Sequence, residues 1–264
     1  MSYCFIILAA GKSKRFNSEK PKQFHLYKGK PLLMHSIDKV KKYKKFSKIL
    51  LVINKKHKEF VKRLNIKNVE IILGGKTRAE SSFKALTKIK KTNIRKVMIH
   101  DAARPNFSTK LLNKLFTQSK HNDCVVPAIK SVDAVKEKMS KAFRNLKREN
   151  IYLAQTPQAF NFNKLYELQK NRDLDILDDA SLFIAEKRKI KIIKGEVNNK
   201  KITINKDLKI ANTVKYGLGF DVHKLVPNKT LYLGGIKIPS LIGTLGHSDG
   251  DPVLHAVIDA VLGA

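Results

Sequence analysis

What this 264-residue chain lacks narrows it quickly. It has two cysteines, Cys4 and Cys124, each inside an apolar, strand-like run and neither spaced from the other as a metal ligand would be. That excludes a disulfide-stapled secreted scaffold and fits reduced, packed thiols in the cytoplasm. No apolar run reaches bilayer length. The first one, ending before Gly11, is only about eight residues long and carries its cations after it, so neither a membrane span nor a secretory leader is expected. Glycine is missing where the common nucleotide loops need it. Ile6 stands five positions before Gly11, so GKS at 11–13 does not close a Walker A loop, and one glycine does not make G-x-G-x-x-G. Acid is scarce as well: 22 Asp and Glu face 54 Lys and Arg, a formal net charge of +32.

Such an excess suggests a nucleic-acid partner, but its distribution argues otherwise. Lysines occur in nearly every helix-like segment, and the aromatics are not interleaved among them as stacking platforms. Abundant Lys, Ile and Asn is what an AT-rich coding sequence produces. No specific nucleic-acid partner is expected, only salt-sensitive adhesion to polyanions. The charge also stops abruptly. Residues 213–264 hold four lysines (215, 224, 229, 237) and four aspartates (221, 249, 251, 259), so the whole excess belongs to residues 1–212. The tail carries eight of the 13 glycines and three of the eight histidines. Two domains are expected, 1–212 and 213–264.

Residues 3–9, 48–53, 69–73, 96–100, 123–128 and 189–193 read as short buried strands, rich in Ile, Leu and Val with little alternation. Helical patterns lie between and after them at 31–43, 55–64, 77–90, 108–118, 161–169 and 178–187, the first opening with Pro31. Strands alternating with helices predict an α/β fold with a doubly wound, mostly parallel sheet. Ligands then sit at the carboxyl ends of strands, which selects the loops after residues 9, 73, 100 and 128.

Those loops hold the unusual residues. Gly11 is followed by Lys12, Lys14, Arg15, Lys20 and Lys22, a βα turn suited to an anion, with Lys12 and Lys14 read as solvated charges. GGKTRAESS (74–82) places two glycines before a helix start carrying Arg78 and Ser81. HDAARP (100–105) ends a strand on Asp101, a common position for a carboxylate that binds a divalent cation beside phosphates, with Arg104 near enough to take a phosphate or carboxylate. Taken alone, His100–Asp101 is equally a cap for the next element. Together the loops describe a nucleoside triphosphate site.

AAGKSKRF with EKPKQF, then GGKTRAESS, HDAARP, TPQAF (156–160) and NNKKIT (198–203), resemble in order and spacing the 2-C-methyl-D-erythritol 4-phosphate cytidylyltransferases. FDVH (220–223) with HSDGDPVLHAVIDAVLGA (247–264) resembles the start of the 2-C-methyl-D-erythritol 2,4-cyclodiphosphate synthases, an α+β domain. Together they are similar to the fused bifunctional enzymes of non-mevalonate isoprenoid synthesis. The resemblance implies a nucleotidyltransferase, Rossmann-like first domain that transfers CMP from CTP to 2-C-methyl-D-erythritol 4-phosphate and releases pyrophosphate, with Mg²⁺. It implies that Arg15 and Lys22 stabilise the transition state and that the Gly11 loop lets the backbone approach the phosphates. Ser81 then contacts cytidine, Asp101 the metal, and Arg148 and Lys201 the acceptor phosphate, with Arg104 a further substrate contact. Two departures bear on acceptor and base contacts: Lys76 stands where many relatives are acidic, and Asp133-Ala134 stands where relatives have Asp-Thr. A cytidylyltransferase for another polyol phosphate, such as ribitol 5-phosphate, shares HDAARP and TPQ but is disfavoured by the tail. A basic nucleic-acid-binding protein is the alternative from a different class.

In the tail, Asp221 and His223 are two apart and share one side of a strand. His255 falls just inside a helix opened by Pro252, with Asp259 one turn further on the same face. One carboxylate and two imidazoles leave a tetrahedral zinc with an open position, the catalytic pattern. By resemblance that position takes a diphosphate oxygen, Asp221 and His223 also meet the substrate, and His247 and Ser248 orient the diphosphate, His247 as a catalytic residue; the product is the cyclodiphosphate and CMP leaves. The match is with the beginning of that domain. The expectation is therefore weak zinc binding at most and no cyclisation by this length of chain. The resemblance further implies a homo-oligomer, dimeric through the first domain and trimeric through a complete second one.

Overall fold

The computed structural model describes residues 2–11, 13, 16, 18, 20–140, 142–170, 176–211, 216–246 and 250–264. It divides into two compact units, 1–211 and 212–264. The first begins with β1 (Tyr3–Ala9), buried at every position but Leu8. Alternation splits even this continuous apolar run: Cys4 and Ile6 enter one core, Tyr3, Phe5 and Ile7 the other. A strand that feeds two cores has to lie at the centre of a sheet covered on both faces.

The chain then makes a small ribbon, β2 (Leu26–Tyr27) and β3 (Lys30–Pro31), and enters α1 (Leu32–Tyr43). Next come β4 (Lys48–Ile53), α2 (Lys58–Arg63), β5 (Glu70–Leu73), α3 (Arg78–Ile89), β6 (Lys96–Asp101), α4 (Thr109–Ser119) and β7 (Cys124–Lys130). A hairpin, β8 (Val135–Lys138) and β9 (Phe143–Leu146), leaves the sheet and returns through β10 (Tyr152–Ala154) to β11 (Gln158–Asn161). After these come α5 (Phe162–Lys170), α6 (Ala180–Ala185), β12 (Lys191–Lys194) and α7 (Asn205–Ala211).

Strands β5, β4, β1 and β6 pair in parallel in that order, and β11 then joins β6 antiparallel. Val125 of β7 pairs with Ala159 of β11 and with Lys191 of β12, so those strands flank β7 on opposite sides. Helices α1 and α4 cover one face with Leu33, Ile37, Val40, Leu111 and Leu115, a spacing that keeps one apolar stripe inward. Helices α3, α5 and α6 cover the other with Leu86, Ile89, Leu165 and Phe183. The sheet is mostly parallel and wound on both faces, as the alternation of strand and helix predicts.

Four features differ from the sequence reading. Asp221 and His223, expected to share a strand, lie outside any strand, the nearest of which begins only at Lys224. The helix expected at 55–64 divides into a 3-10 turn, Lys55–His57, and α2, with Asn54 accepting from the Lys56 amide at 3.0 Å. The TPQAF segment supplies β11, the antiparallel strand between β6 and β7. The lysine-rich stretch 135–146 forms a hairpin in which Phe143 is exposed, so it has no apolar face for a periodicity to reveal.

The second unit contains two antiparallel ribbons and a helix: β13 (Lys224–Pro227) with β16 (Ile242–Leu245), β14 (Leu231–Leu233) with β15 (Ile236–Ile238), and α8 (Pro252–Gly263). Gly234 and Gly235 both have positive φ, +64° and +80°, the backbone that a two-residue hairpin turn demands and that glycine adopts without strain.

In the first unit, Phe107 is fully buried against Phe5 and His100, with Lys39 Nζ 4.6 Å from its ring centre. Phe107→Ala should cost about 3–5 kcal/mol, measured by urea unfolding. A loss under 1 kcal/mol would mean that this aromatic layer does not hold α4 to the sheet.

Candidate active site

A cleft opens at the carboxyl ends of β1, β4, β5 and β6, lined by Gly11, Lys22, Asn54, Arg78, Asp101 and Lys201 among others. Three of the four loops selected from the sequence border it. The loop after residue 128 does not; Asn54, after β4, and the 198–203 segment take its place. Arg15, with Lys12 and Lys14, lies outside the described residues.

The opening loop is tied down by Gln23, whose Nε2 donates to the carbonyls of Ala9 (2.8 Å) and Gly11 (3.3 Å). The Ser13 hydroxyl donates to Gln23 Oε1 at 3.2 Å and accepts from the Lys22 amide at 3.2 Å. That places Lys22 on the cleft wall, its Nζ donating to the Ile202 carbonyl at 2.9 Å. Across the cleft, Thr77 caps α3 by accepting from the Glu80 amide. The helix therefore presents its positive end to whatever anion the cleft receives. Ser81, buried, donates to the Thr77 carbonyl at 2.9 Å and accepts from the Gly75 amide at 3.1 Å. The Lys76 amide is held by Glu80 Oε2 at 2.7 Å.

Asp101, the last residue of β6, is the acid of the cleft. Its Oδ1 accepts from Arg78 Nε at 3.3 Å and its Oδ2 from Lys201 Nζ at 2.6 Å. Burial alone would raise its pKa; the Arg78 and Lys201 charges outweigh burial and hold it well below the usual carboxylate range. Its neighbour points the other way. His100 is fully buried, and burial pushes its pKa down to about 3, leaving a neutral ring. The ring meets the Thr156 hydroxyl at 3.1 Å, Ser36 at 3.2 Å and the Arg104 carbonyl at 3.1 Å. His100 is thus a core strut, and Asp101 alone of the pair faces the cleft.

Arg104 Nη1 donates to the Asn199 carbonyl at 2.8 Å and its Nη2 to the Ala154 carbonyl at 3.3 Å, so it clamps two loops and does not border the cleft. Arg148 is exposed beside the hairpin, donating to the Val132 carbonyl at 3.4 Å. Sequence reasoning passed over Gln23, Asn54 and the buried Asp179, which accepts from Arg78 Nη1 at 2.7 Å. Long-range contacts define Gln23 and Asp179, and no spacing marks them; Asn54 caps the turn after β4 and reaches the cleft because that strand ends there.

In the second unit Asp221, His223 and His255 offer ligand atoms that all lie within 4.8 Å of one another. Both His223 Nδ1 and His255 Nδ1 stand 3.0 Å from Asp221 Oδ2. Asp251 caps α8, accepting from the Val253 and Leu254 amides, and also accepts from Gly234 (2.9 Å) and Gly235 (2.6 Å). The glycine turn thereby fixes the helix start, and with it His255 one turn along. Among the described residues, the buried His223 Nδ1 has no well-aligned hydrogen-bond partner, the state of a ring nitrogen open to a ligand. The three donors therefore fit a divalent metal. Asp259 is not one of them; His247 and Ser248 lie outside the described residues.

A cationic, glycine-bordered cleft at the strand ends of a mostly parallel, two-sided sheet defines an α/β enzyme of the nucleotidyltransferase class. The chain belongs to the 2-C-methyl-D-erythritol 4-phosphate cytidylyltransferase (IspD) family, whose model matches residues 3–215. Residues 214–264 match the YgbB family. The chain is 67% identical over 264 residues to the bifunctional enzyme IspD/IspF of Pelagibacter ubique, covering all of this chain and 71% of that protein. It is 37% identical over 267 aligned residues to the Campylobacter jejuni RM1221 enzyme of the same name, covering 98% of this chain and 68% of that one. Among solved structures, the bifunctional IspDF of Campylobacter jejuni superposes with a TM-score of 0.71 at 35% identity, over 100% of this chain and 70% of that one. The Francisella tularensis cytidylyltransferase (IspD) gives 0.69 at 29% identity, over 80% of this chain and 99% of that one. Enzymes of these families are generally metal-dependent. Among the described residues, no helix is long and apolar enough to cross a membrane.

Gly74 packs behind the cleft wall, against Ala10 and Ser81. A Cβ there would sit 2.7 Å from both Ala10 Cβ and Ser81 Oγ, with Val52 at 3.2 Å. Gly74→Ala should lower stability by about 1–3 kcal/mol in urea unfolding, because β1 and α3 must separate to admit it. Unchanged stability would show that the wall yields freely.

Proposed function

We propose that the first unit, read as the domain 1–212, transfers CMP from CTP to 2-C-methyl-D-erythritol 4-phosphate. The observation that carries this is the cleft itself: Lys22, Arg78, Asp101 and Lys201 line it beside a helix start, with Arg78 and Lys201 paired to Asp101, within the span that the family model matches. An acceptor oxygen attacks the α-phosphorus, a new P–O bond forms, and the bond to the bridging oxygen breaks to release pyrophosphate. No protein nucleophile is needed, so the chain's task is to position both substrates and stabilise the charge that grows at phosphorus and on the leaving group. Lys22, with Arg15, meets that charge; Gly11 allows close approach; Ser81 contacts cytidine; Arg148 and Lys201 hold the acceptor phosphate, and Arg104 keeps the acceptor-side loops in place. Mg²⁺, when bound, neutralises the triphosphate. Asp101, the carboxylate among the described cleft residues, would hold it.

The second unit, residues 213–264, is read as a zinc-binding part of a cyclodiphosphate synthase domain, with Asp221, His223 and His255 as its protein ligands. Zinc there, when bound, would polarise a diphosphate oxygen, with His247 and Ser248 orienting the group. Self-association through the first unit is supported by exposed apolar residues in and beside the hairpin: Val132, Phe143, Tyr152 and Leu153; assembly through a complete second domain is read as trimeric. A cytoplasmic location is supported by Cys4 and Cys124, both free and both pushed up in pKa by burial.

Lys22→Ala should lower kcat by about 10²-fold or more in a pyrophosphate-release assay with CTP and 2-C-methyl-D-erythritol 4-phosphate. Near-normal turnover would remove the opening loop from the chemistry. For the tail, the purified chain should hold one zinc, and His255→Ala should weaken binding by at least the roughly 10- to 100-fold that even outer-shell losses cause. A parent chain that retains no zinc would sink this reading of the three ligands.

A further inference from the structure

Arg78 is the first residue of α3, and its guanidinium spans two carboxylates. Nε reaches Asp101 in the cleft at 3.3 Å, and Nη1 reaches Asp179 behind it at 2.7 Å. Asp179 is wholly buried and does not border the cleft. Its other oxygen, Oδ1, accepts from Ser82 Oγ and Gln169 Nε2, both at 2.7 Å. Three donors from α3 and α5 therefore converge on one carboxylate.

The adjacent Asp178 shows what a merely local acid does here. It accepts from the Ser181 amide (3.0 Å) and hydroxyl (2.6 Å) at the start of α6, and from Gln158 Nε2 at 2.7 Å. Capping is thus already supplied, and Asp179 makes no cap hydrogen bond. A buried ion pair seldom stabilises more than well-packed apolar residues would, so stability alone gives little reason for one here. Arg78 Nη2 is also buried with no hydrogen-bond partner among the described residues. An unpaired buried donor beside a cleft is costly, and an oxygen of a bound substrate would relieve it.

We infer that Asp179 is a positioning residue for CMP transfer: it fixes the guanidinium of Arg78 from behind, and Arg78 in turn sets the orientation of the Asp101 carboxylate. The inference rests on the functional reading above. It depends on the planar fork of arginine, which alone addresses two carboxylates in fixed directions; lysine keeps the charge and loses the geometry. A displacement of about 1 Å in such a relay costs about 10²-fold in rate.

The test is a double-mutant cycle on the full chain, with kcat and KM for CTP read by pyrophosphate release and folding by thermal melts. Asp179→Asn and Arg78→Lys should each lower kcat by about 10²-fold with KM for CTP little changed. The double variant should lose about the same 10²-fold, not 10⁴-fold, because both changes break one relay. Losses that multiply, or a folded Asp179→Asn chain with parental kcat, would overturn the inference. If Asp179→Asn fails to fold, Ser82→Ala carries the same test. A several-fold fall in kcat at near-parental melting temperature supports the relay, and unchanged kcat overturns it. No turnover in the parent chain would overturn the functional reading and this inference together, whereas turnover that the variants leave untouched removes only the inference.

Discussion

A carboxylate enclosed at the end of β6 has to be matched by cations, and much of the first unit is arranged around that requirement. Asp101 is among the less exposed acids of the described residues, yet it stays ionised because Arg78 arrives from α3 and Lys201 from the segment before α7. Each partner needs its own support. Arg78 has Asp179; the 199–202 segment is held by Arg104 Nη1 on the Asn199 carbonyl and by the Ile202 amide on the Ala103 carbonyl. Two loops far apart in sequence are thus fastened to one strand end by a few charge-assisted contacts, which a low-dielectric setting strengthens. A cleft built this way is already polarised for an anionic substrate before one arrives.

Most of the framework was legible from the residues. β1 (YCFIILA) and residues 49–53 of β4 (ILLVI) are unbroken apolar runs because they lie buried on both sides, and a central parallel strand leaves that mark. The cleft loops were legible for the opposite reason: glycine and cations interrupt the apolar pattern where strands end. Asp101, Lys22, Ser81 and Lys201 could be named on that ground together with a family likeness. Others could not. Gln158–Asn161 is a four-residue strand whose place between β6 and β7 is decided by tertiary pairing, not by its own composition. Arg104 carries the same charge as a phosphate ligand, and only the fold shows its nitrogens turned to carbonyls. Asp178 and Asp179 are identical in sequence terms and differ entirely in what surrounds them.

The second unit follows a different logic. Its charge is neutral and its glycines many, and turn chemistry substitutes for bulk. The Gly234–Gly235 turn, the Asp251 cap and His255 form a short chain of dependence in which backbone amides fix the helix start that carries His255. The same carboxylate serves the turn and the helix. Four amides outweigh the effect of its burial and lower its pKa, so it acts as a fixed anion at the start of α8.

The stem of the hairpin has one further consequence. Ala128 pairs with Ala154 and Lys130 with Tyr152, so residues 131–151 leave and rejoin the sheet at neighbouring points. An excursion whose ends already meet adds little closure entropy when its length changes. Evolution can therefore exchange this arm, with Arg148 upon it, as a cassette. The hairpin can thus lengthen or shorten while the strand ends that border the cleft keep their register.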